Sequence, residues 1–513
     1  MTKPADLVLT NAEVHTHADP DETHEAVAVR DGEIVRVDSA YEVDFLAGVD
    51  TTVLDLDGRT VLPGFVDAHV HMEQQGQFLV HADLSEADSL EDCLARLRTD
   101  SAADHDWFFG FGYDESTWTG DRRYPTKDDL DAVSDTDPVA AIRVDLHTAS
   151  LNSVALDRLA DDLPDADVRT ENGEPTGVVV EDAAEVVRDV IDPDIDETRD
   201  LLLAAQDYAH ENGVTSIHDM IRHSHAPRVY RDLDADGELA LRVRLNYWSD
   251  HLDAVIETGL RTGHGSEFVQ TGAIKTFTDG SMGSQTAKLS FDYEDADGRG
   301  QWVVDPPELR AFVERADAHD LQVCAHAIGD VAITEVLDAY EDLTDDPGAS
   351  RHRVEHAELT TTDDIERMGD LGVVASMQPN FLQWAFEDGL YDARIGPERR
   401  DQVDRFPDYL DADAPLAFGS DCMPLDPLLG IHYAVNPPTD AQRLSVTDAI
   451  RAYTSGAAYA GFDEDRLGTL EPGTAADLTV LDDSPWDHPD SIRDIDVALT
   501  IVDGTVVHDG RDD

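Results

Sequence analysis

Two histidines that are separated by one residue, His69 and His71, follow the largely apolar run from Val61 to Ala68. In an extended strand the side chains at positions i and i+2 point to the same side, so both imidazoles can bind one metal ion. In a chain with 21 histidines, an isolated pair of this kind is more often a coincidence than a chelate. Its meaning therefore depends on whether further ligand-type residues accompany it.

Four further segments each place one ligand-type residue within or just after an apolar stretch: Lys275, His326, His356 and Asp421. Imidazole nitrogen and carboxylate oxygen are ligands that zinc and similar divalent ions favour. Lysine is the exception, because an ammonium repels a metal and the burial of its charge is costly. Only four of the 37 basic residues are lysines, so Lys275 indicates chemistry that a guanidinium cannot perform. The alternative is a surface lysine whose stem packs on apolar neighbours.

Strand-like runs alternate with amphipathic helical stretches in the long middle of the chain, which predicts βα units and a parallel sheet. Eight candidate strands, the count of a (β/α)₈ TIM barrel in the α/β class, lie near Val61, Gly213, Leu241, Gly272, Leu321, Arg353, Val373 and Pro415. The ligand-type residues follow the first, fourth, fifth, sixth and eighth of these strands. Barrel enzymes carry their chemistry at these carboxyl ends.

Both ends of the chain are rich in short β-like runs, and Asp31-Gly32 between two such runs is a hairpin signal. We therefore expect residues 1–60 and 466–513 to form one composite β-sandwich, and residues 61–465 to form the barrel. The connection after His71 is too long for a single βα loop. It predicts an inserted α+β subdomain at about 101–200, whose aromatic residues pack in a core of its own.

The opening Pro63-Gly64-Phe65-Val66-Asp67-Ala68-His69-Val70-His71, with the ligand-type residues that follow it in order, resembles the amidohydrolase superfamily of metal-dependent hydrolases. The match is closest to the amidohydrolase family 3 branch, whose members include N-substituted formamide deformylases. It extends nearly from end to end, through Gly213-Val214-Thr215-Ser216-Ile217-His218-Asp219 and Ala325-His326-Ala327-Ile328-Gly329-Asp330. Leu146 stands where the branch usually has glycine, which affects only the expected shape of the substrate pocket.

The resemblance implies a metal centre whose ligands are His69, His71, Lys275, His326, His356 and Asp421. By this resemblance the His-x-His pair and the aspartate bind the first ion, and the other two histidines bind the second. The lysine, converted by carbon dioxide into a carbamate, bridges them. Zinc is the first choice of metal, with one or two ions per chain. Metal-activated hydroxide would attack the substrate, and Asp421 would also act as general acid and base.

Four other residues are candidates for substrate contacts, with a structural hydrogen bond as an equal alternative for each: His147, His218, Asp279 and Gln378. The leading functional hypothesis is hydrolysis of a non-peptide C–N bond in an N-substituted amide or formamide. Deamination of a cyclic amidine or heterocycle is the first alternative, and it differs by the release of ammonia. The second alternative is an inactive paralogue with a binding or regulatory role, which the complete ligand set argues against.

Acidic residues dominate the charge of this 513-residue chain, since 111 Asp and Glu against 37 Lys and Arg give a net charge of −74. This composition predicts a halophile, because molar salt shortens the screening length to about 3 Å and suppresses self-repulsion. The sign of the charge argues against a nucleic-acid partner. Three cysteines without CxxC spacing, and no signal or membrane-length apolar run, predict a cytoplasmic protein with a small-molecule substrate and no membrane partner. A homo-oligomer is left open.

Overall fold

The computed structural model describes residues 3–85, 87–100, 107–144, 148–343 and 346–511, without the side chains of Asp100 and Asp189. Its central sheet has eight parallel strands whose spatial order follows the chain. They are β1 Phe65–Val70, β2 Val214–Ile221, β3 Arg242–Trp248, β4 Val269–Phe277, β5 Val323–Ala327, β6 Arg353–His356, β7 Val374–Met377 and β8 Leu416–Phe418. The predicted α/β barrel is confirmed, as a nearly closed eight-stranded sheet.

Polar contacts fix the loop after β8 against the end of β1. The Asp67 carboxylate accepts the backbone N–H groups of His69 and Ser420, each at 3.0 Å. The Asp421 N–H donates to the His69 carbonyl at 2.8 Å. Gly419 is required for this approach, because a Cβ at its position would lie 2.5 Å from the backbone nitrogen of His69. The first and last barrel strands are thereby held together where the candidate ligands lie.

The α-helices among the described residues from 195 to 460 are Ile195–Glu211, Ala226–Asp236, Leu252–Glu257, Pro306–Asp317, Asp330–Leu343, Pro347–Ser350, Thr362–Leu371, Leu390–Ile395, Phe406–Asp411, Pro427–Val435, Val446–Ala452 and Ser455–Ala460. The helix after β5 shows why they form. It buries Ile333, Val336, Leu337 and Tyr340, which share one face at helical spacing. Within the described ranges, no helix is both long and apolar enough to cross a membrane.

The apolar run near Val61 differs from the prediction. It forms two strands in two sheets: Thr60–Pro63 pairs antiparallel with Leu478–Leu481, and the first barrel strand begins only at Phe65. The break falls at Gly64, where a Cβ would lie 2.3 Å from the Thr215 hydroxyl oxygen. Sequence periodicity could not show this division, because both strands are apolar and fully buried.

We propose that two further sheets, built from both ends of the chain, are the composite sandwich that the sequence predicts for residues 1–60 and 466–513. One sheet has the order Glu33–Asp38, Ala26–Arg30, Leu7–Thr10 and Thr52–Asp55. The other has the order Thr505–Asp509, Val497–Val502, Leu478–Leu481, Thr60–Pro63, Glu13–His15 and Thr23–His24. Leu9 and Val27 from the first sheet share an apolar core with Leu478 and Ile501 from the second. The predicted hairpin turn is present, with positive φ at Asp31 and Gly32 (53° and 79°).

A second compact unit spans Met72–Ala205. Its sheet has the order Val168–Glu171, Glu174–Val180, Thr148–Leu151, Val139–Arg143, Phe108–Tyr113 and Ala82–Asp83. Its helices include Met72–Val80, Leu90–Asp100, Lys127–Asp131, Ser153–Leu159 and Asp182–Ile191. Phe109 and Phe111 enter one apolar cluster, and Phe108 and Tyr113 enter another. We propose that this unit is the domain inserted in the chain after β1, which the sequence predicts at about 101–200.

Candidate functional site

The His-x-His pair meets an aspartate from the other edge of the barrel sheet. His69 lies in β1, His71 follows it, and Asp421 lies in the loop after β8. The Asp421 Oδ1 atom is 3.7 Å from His69 Nε2 and 3.4 Å from His71 Nε2. One ligand atom from each of the three residues lies within 4.8 Å of the others. This arrangement is a candidate metal site.

The second ring nitrogen of each histidine already has a hydrogen-bond acceptor. His69 Nδ1 is 2.6 Å from a carboxylate oxygen of Glu355, and His71 Nδ1 is 3.2 Å from the Met220 carbonyl. Both nitrogens must therefore carry the proton, which leaves each Nε2 free to bind a metal. Histidines that bind metals commonly donate their other N–H in this way, which fixes the tautomer and the ring orientation.

Three further predicted ligands lie next to this group. The ring centroid of His356 is 5.0 Å from that of His69 and 4.5 Å from that of His326. His326 Nε2 donates to the Gly280 carbonyl at 3.1 Å, and His356 Nδ1 donates to Gln378 at 2.7 Å. Within the described part of the chain, the Lys275 Nζ and His326 Nδ1 atoms are buried without a hydrogen-bond partner.

Orphaned buried nitrogens of this kind need an explanation, and an ion is one that fits all of the donors. Every imidazole of the group keeps one nitrogen available after its hydrogen bond is made. The donor set of imidazoles and a carboxylate is the one that zinc prefers. The residues present therefore fit a divalent metal.

Burial keeps the imidazoles in the neutral form that binds metals. It lowers the pKa of His69, His326 and His356 well below the usual value, and neighbouring imidazoles and Lys275 add to this effect. Burial also lowers the pKa of Lys275. At Asp421, burial acts to raise the pKa, but the His-x-His pair outweighs it and the pKa lies below its usual value. Neutral imidazoles and an ionised carboxylate are the ligand forms that metal binding requires.

Two of the candidate ligands lie in unusual backbone conformations. His356 and the following Ala357 have φ values of 73° and 49°, and Asp421 and the following Cys422 have 54° and 56°. Residues other than glycine seldom adopt positive φ, and such strain persists where the surrounding structure holds it. The chain therefore turns sharply at two barrel strand ends to bring these side chains to the site.

A buried ion pair between Arg353 and Glu355, which the sequence did not reveal, holds the His69 ring in place through a hydrogen bond. Glu355 accepts a hydrogen bond from His69 and is itself bound by Arg353, whose Nε lies 2.7 Å from Glu355 Oε1. Arg353 also donates to the Ala68 carbonyl at 2.7 Å and to the Ser376 hydroxyl at 2.8 Å. The signal available in the sequence was Arg353-Val354-Glu355, where two charged residues lie at alternate positions of a strand expected to be buried.

The three described candidates for substrate contacts all make hydrogen bonds to protein groups. His218 Nδ1 accepts from Arg353 at 2.8 Å, and Gln378 accepts from His356. Asp279 accepts the backbone N–H groups of Lys288 and Gly329, at 2.7 and 2.9 Å. None of these three lines the cavity at the site. His147 lies outside the described residues, so substrate binding by all four stays a prediction.

A cavity of about 290 Å³ opens at the candidate metal site. Its walls include apolar side chains from several loops: Phe277, Ile328, Phe381, Trp384, Leu390 and Met423. Besides the predicted ligands, one acidic residue, Glu358, lines the cavity, and it lies beside Tyr391. A space of this size with few polar groups suits a small organic molecule.

Known proteins share this architecture. The family described as "Amidohydrolase family" matches residues 52–508. Protein LONG AFTER FAR-RED 3 from Arabidopsis thaliana is 32% identical, over 98% of this chain and 91% of that protein. N-substituted formamide deformylase from Arthrobacter pascens is 27% identical, over 99% of each. The crystal structure of an uncharacterized metal-dependent hydrolase from Pyrococcus furiosus has a TM-score of 0.81 at 30% identity, over 94% of this chain and 99% of that one. The predicted resemblance is confirmed.

Proposed function

Because this chain belongs to the amidohydrolase family, we propose that it hydrolyses a C–N bond other than a peptide bond, in an N-substituted amide or formamide. The convergence of four imidazoles, one amine and one carboxylate in the lining of a largely apolar cavity carries the proposal. The match to N-substituted formamide deformylase over 99% of both chains supports this substrate class.

We assign the predicted ligands to two metal positions. His69, His71 and Asp421 would hold one ion, and His326 and His356 would hold the other, with zinc as the first choice of metal. When bound, such ions supply Lewis-acid polarisation of a carbonyl and lower the pKa of water. The hydrogen bonds from His69 to Glu355 and from His356 to Gln378 hold the rings in the orientation that this role requires.

Lys275 would bridge the two positions as a carbamate. Its amine is fully buried, has no hydrogen-bond partner in the described part of the chain, and has a pKa that burial lowers. A neutral amine can attack carbon dioxide, which forms one new C–N bond, releases one proton and leaves an anionic carboxylate on the side chain. This modification would replace an unpaired buried amine with a metal ligand. It would thereby remove the free-energy cost of burying a polar group without a partner.

Asp421 would move the proton during hydrolysis. Its carboxylate lies beside both histidines of the His-x-His pair, and their effect keeps it ionised. An ionised carboxylate can accept the proton of the attacking water and donate it to the leaving nitrogen, which separates as the amine. The apolar walls would limit the access of other water to the reacting carbonyl.

The experiment is a substrate panel with protein purified in molar KCl and loaded with zinc. We expect equal amounts of formate and primary amine from N-alkyl and N-aryl formamides, and loss of both products after chelation. Release of ammonia from cyclic amidines, with no formamide hydrolysis, would favour the deaminase instead. No turnover on either panel by metal-loaded protein would contradict the proposal and favour the inactive paralogue.

A further inference from the structure

Glu358 places a carboxyl group in the wall of the substrate cavity. The residue is 3% exposed, and the Tyr391 hydroxyl donates to its Oε2 atom at 2.7 Å. Within the described ranges, no Lys or Arg forms a salt bridge with Glu358, and Tyr391 is the one hydrogen-bond donor to its carboxyl group. One carboxyl oxygen therefore remains available to the cavity.

A second buried acid stands beside it. Asp404 is 1% exposed, and its backbone N–H donates to the Glu358 carbonyl at 2.8 Å. Its Oδ2 atom is buried without a hydrogen-bond partner among the described residues. The two carboxyl groups interact electrostatically. A buried carboxyl group is costly to ionise without a cationic partner, and among the described residues no Lys or Arg is paired with either of these two acids.

The walls next to Glu358 suit a cation with an organic stem. Phe381 and Trp384 line the same cavity, with ring centroids 5.0 Å apart, and Tyr391 lines it too. Aromatic faces attract ammonium groups, and apolar walls accept the methylenes that carry them. The basic residue of the cavity lining is Lys275, which belongs to the candidate metal site.

We propose that Glu358 determines specificity by binding a cationic nitrogen of the substrate, on the part of the molecule that does not react. Tyr391 positions its carboxyl group through the hydrogen bond to Oε2. The substrate class is then an N-substituted amide or formamide that carries a second, protonated amine. This inference rests on the proposed function only for the end of the substrate that is hydrolysed.

Calorimetry with non-reacting ligand pairs tests the proposal. Each pair has a carboxylate for the metal end and differs only at the far end: γ-aminobutyrate against pentanoate, and δ-aminovalerate against hexanoate. We expect metal-loaded wild-type protein to bind the amino member of at least one pair about tenfold or more tightly than its alkyl partner, the range for a hydrogen bond to a charged group. Equal binding within both pairs, or no binding of any of the four acids, would overturn the proposal.

Variants then locate the preference. Glu358→Gln should bring the affinity ratio of each pair close to one, and Tyr391→Phe should lower it in part because the carboxyl group loses its hydrogen bond. Glu366→Gln removes one exposed charge and serves as the matched control, with the ratio unchanged. Persistence of the full preference in folded Glu358→Gln protein would also overturn the assignment. If Glu358→Gln does not fold, the affinity ratios of wild-type protein and of Tyr391→Phe decide whether the assignment stands.

The outcome is separable from that of the proposed function. Hydrolysis of neutral formamides with equal binding of the paired acids would leave the reaction standing and remove the Glu358 subsite. Tighter binding of the amino member of a ligand pair, without formamide hydrolysis, would support the Glu358 subsite and remove the proposed reaction.

Discussion

Of the three His-x-His triplets in the chain, two begin within a strand, and only one of these two has the surroundings of a metal site. His69 lies in β1 of the barrel and His71 follows that strand, whereas His15 is the last residue of the sandwich strand Glu13–His15 and His17 follows it. Both pairs have the spacing that brings two side chains to one face of a strand. The spacing alone therefore does not decide what a pair of histidines does.

The sandwich pair is used for packing. The His15 ring stacks on Trp486, with centroids 3.9 Å apart, and its Nε2 lies 2.7 Å from Glu13. His17 has a φ of 51°, so it leaves the strand, and burial lowers its pKa to about 4. Among the described residues, no third His, Cys, Asp or Glu completes a metal-binding group with them. The barrel pair differs because the ends of other strands bring Asp421, His326 and His356 to it.

The largest expected effect comes from breaking the barrel pair. His71→Asn should lose bound metal and lower turnover by about 10⁴-fold, because metal-based charge stabilisation is worth several kcal/mol. His15→Asn is the matched control, and we expect it to keep its metal and its activity. Metal content by mass spectrometry and formamide turnover check both. Equal effects in the two variants would mean that the distinction between the triplets is wrong.

Asp421→Asn should lower turnover by roughly 10²–10⁴-fold while the fold stays intact, because an amide can still face the metal but cannot carry the proton. The measurement is turnover at matched metal occupancy, with circular dichroism as the check on folding. Near-normal turnover would remove Asp421 from the role of general acid and base.

A smaller effect is expected from the hydrogen bond that orients His356. Gln378→Met keeps the size of the side chain but removes the acceptor for His356 Nδ1, so metal affinity should fall by about 10–100-fold. Competition with a chelator measures this affinity. If Gln378 instead contacts the substrate, KM should rise while metal affinity stays at the wild-type value.

The smallest effect per residue comes from the acidic surface. The net charge of −74 predicts that raising KCl from about 0.1 M to about 2 M increases Tm, because screening relieves repulsion among exposed carboxylates. Thermal unfolding followed by circular dichroism provides the test. The same Tm at both concentrations would contradict a halophilic origin.

The sequence allowed much of the frame to be predicted. Eight strands followed from apolar runs that alternate with amphipathic stretches, and five of these strands carry a predicted ligand within the strand or in the loop after it. The position of β1 was less accurate, because Thr60–Pro63 and Phe65–Val70 are equally apolar and the division at Gly64 depends on Thr215 in a distant strand. Periodicity reports burial, and both of these strands are buried in different sheets.

Contacts between distant residues were not accessible in this way. In the sequence, Arg353 and Glu355 are two charged residues in a strand expected to be buried. Their role depends on His69, which is 286 residues from Glu355 in sequence. Glu358 and Asp404 likewise meet only in the folded chain. Candidate ligands can be predicted because their chemistry depends on the type of one residue. The hydrogen bonds that orient them cannot be predicted in this way, because they join separate strands.

The central claim is that Lys275 completes a metal centre, and metal content tests it most directly. Wild-type protein purified in molar KCl without chelator should contain one to two divalent ions per chain, whereas Lys275→Arg should contain almost none, because a guanidinium cannot form the carbamate ligand. Lys3→Arg, at an exposed ion pair with Asp31, is the matched control and should equal wild type. Wild-type metal content in Lys275→Arg, or less than about 0.2 equivalents in active wild-type protein, would contradict this account.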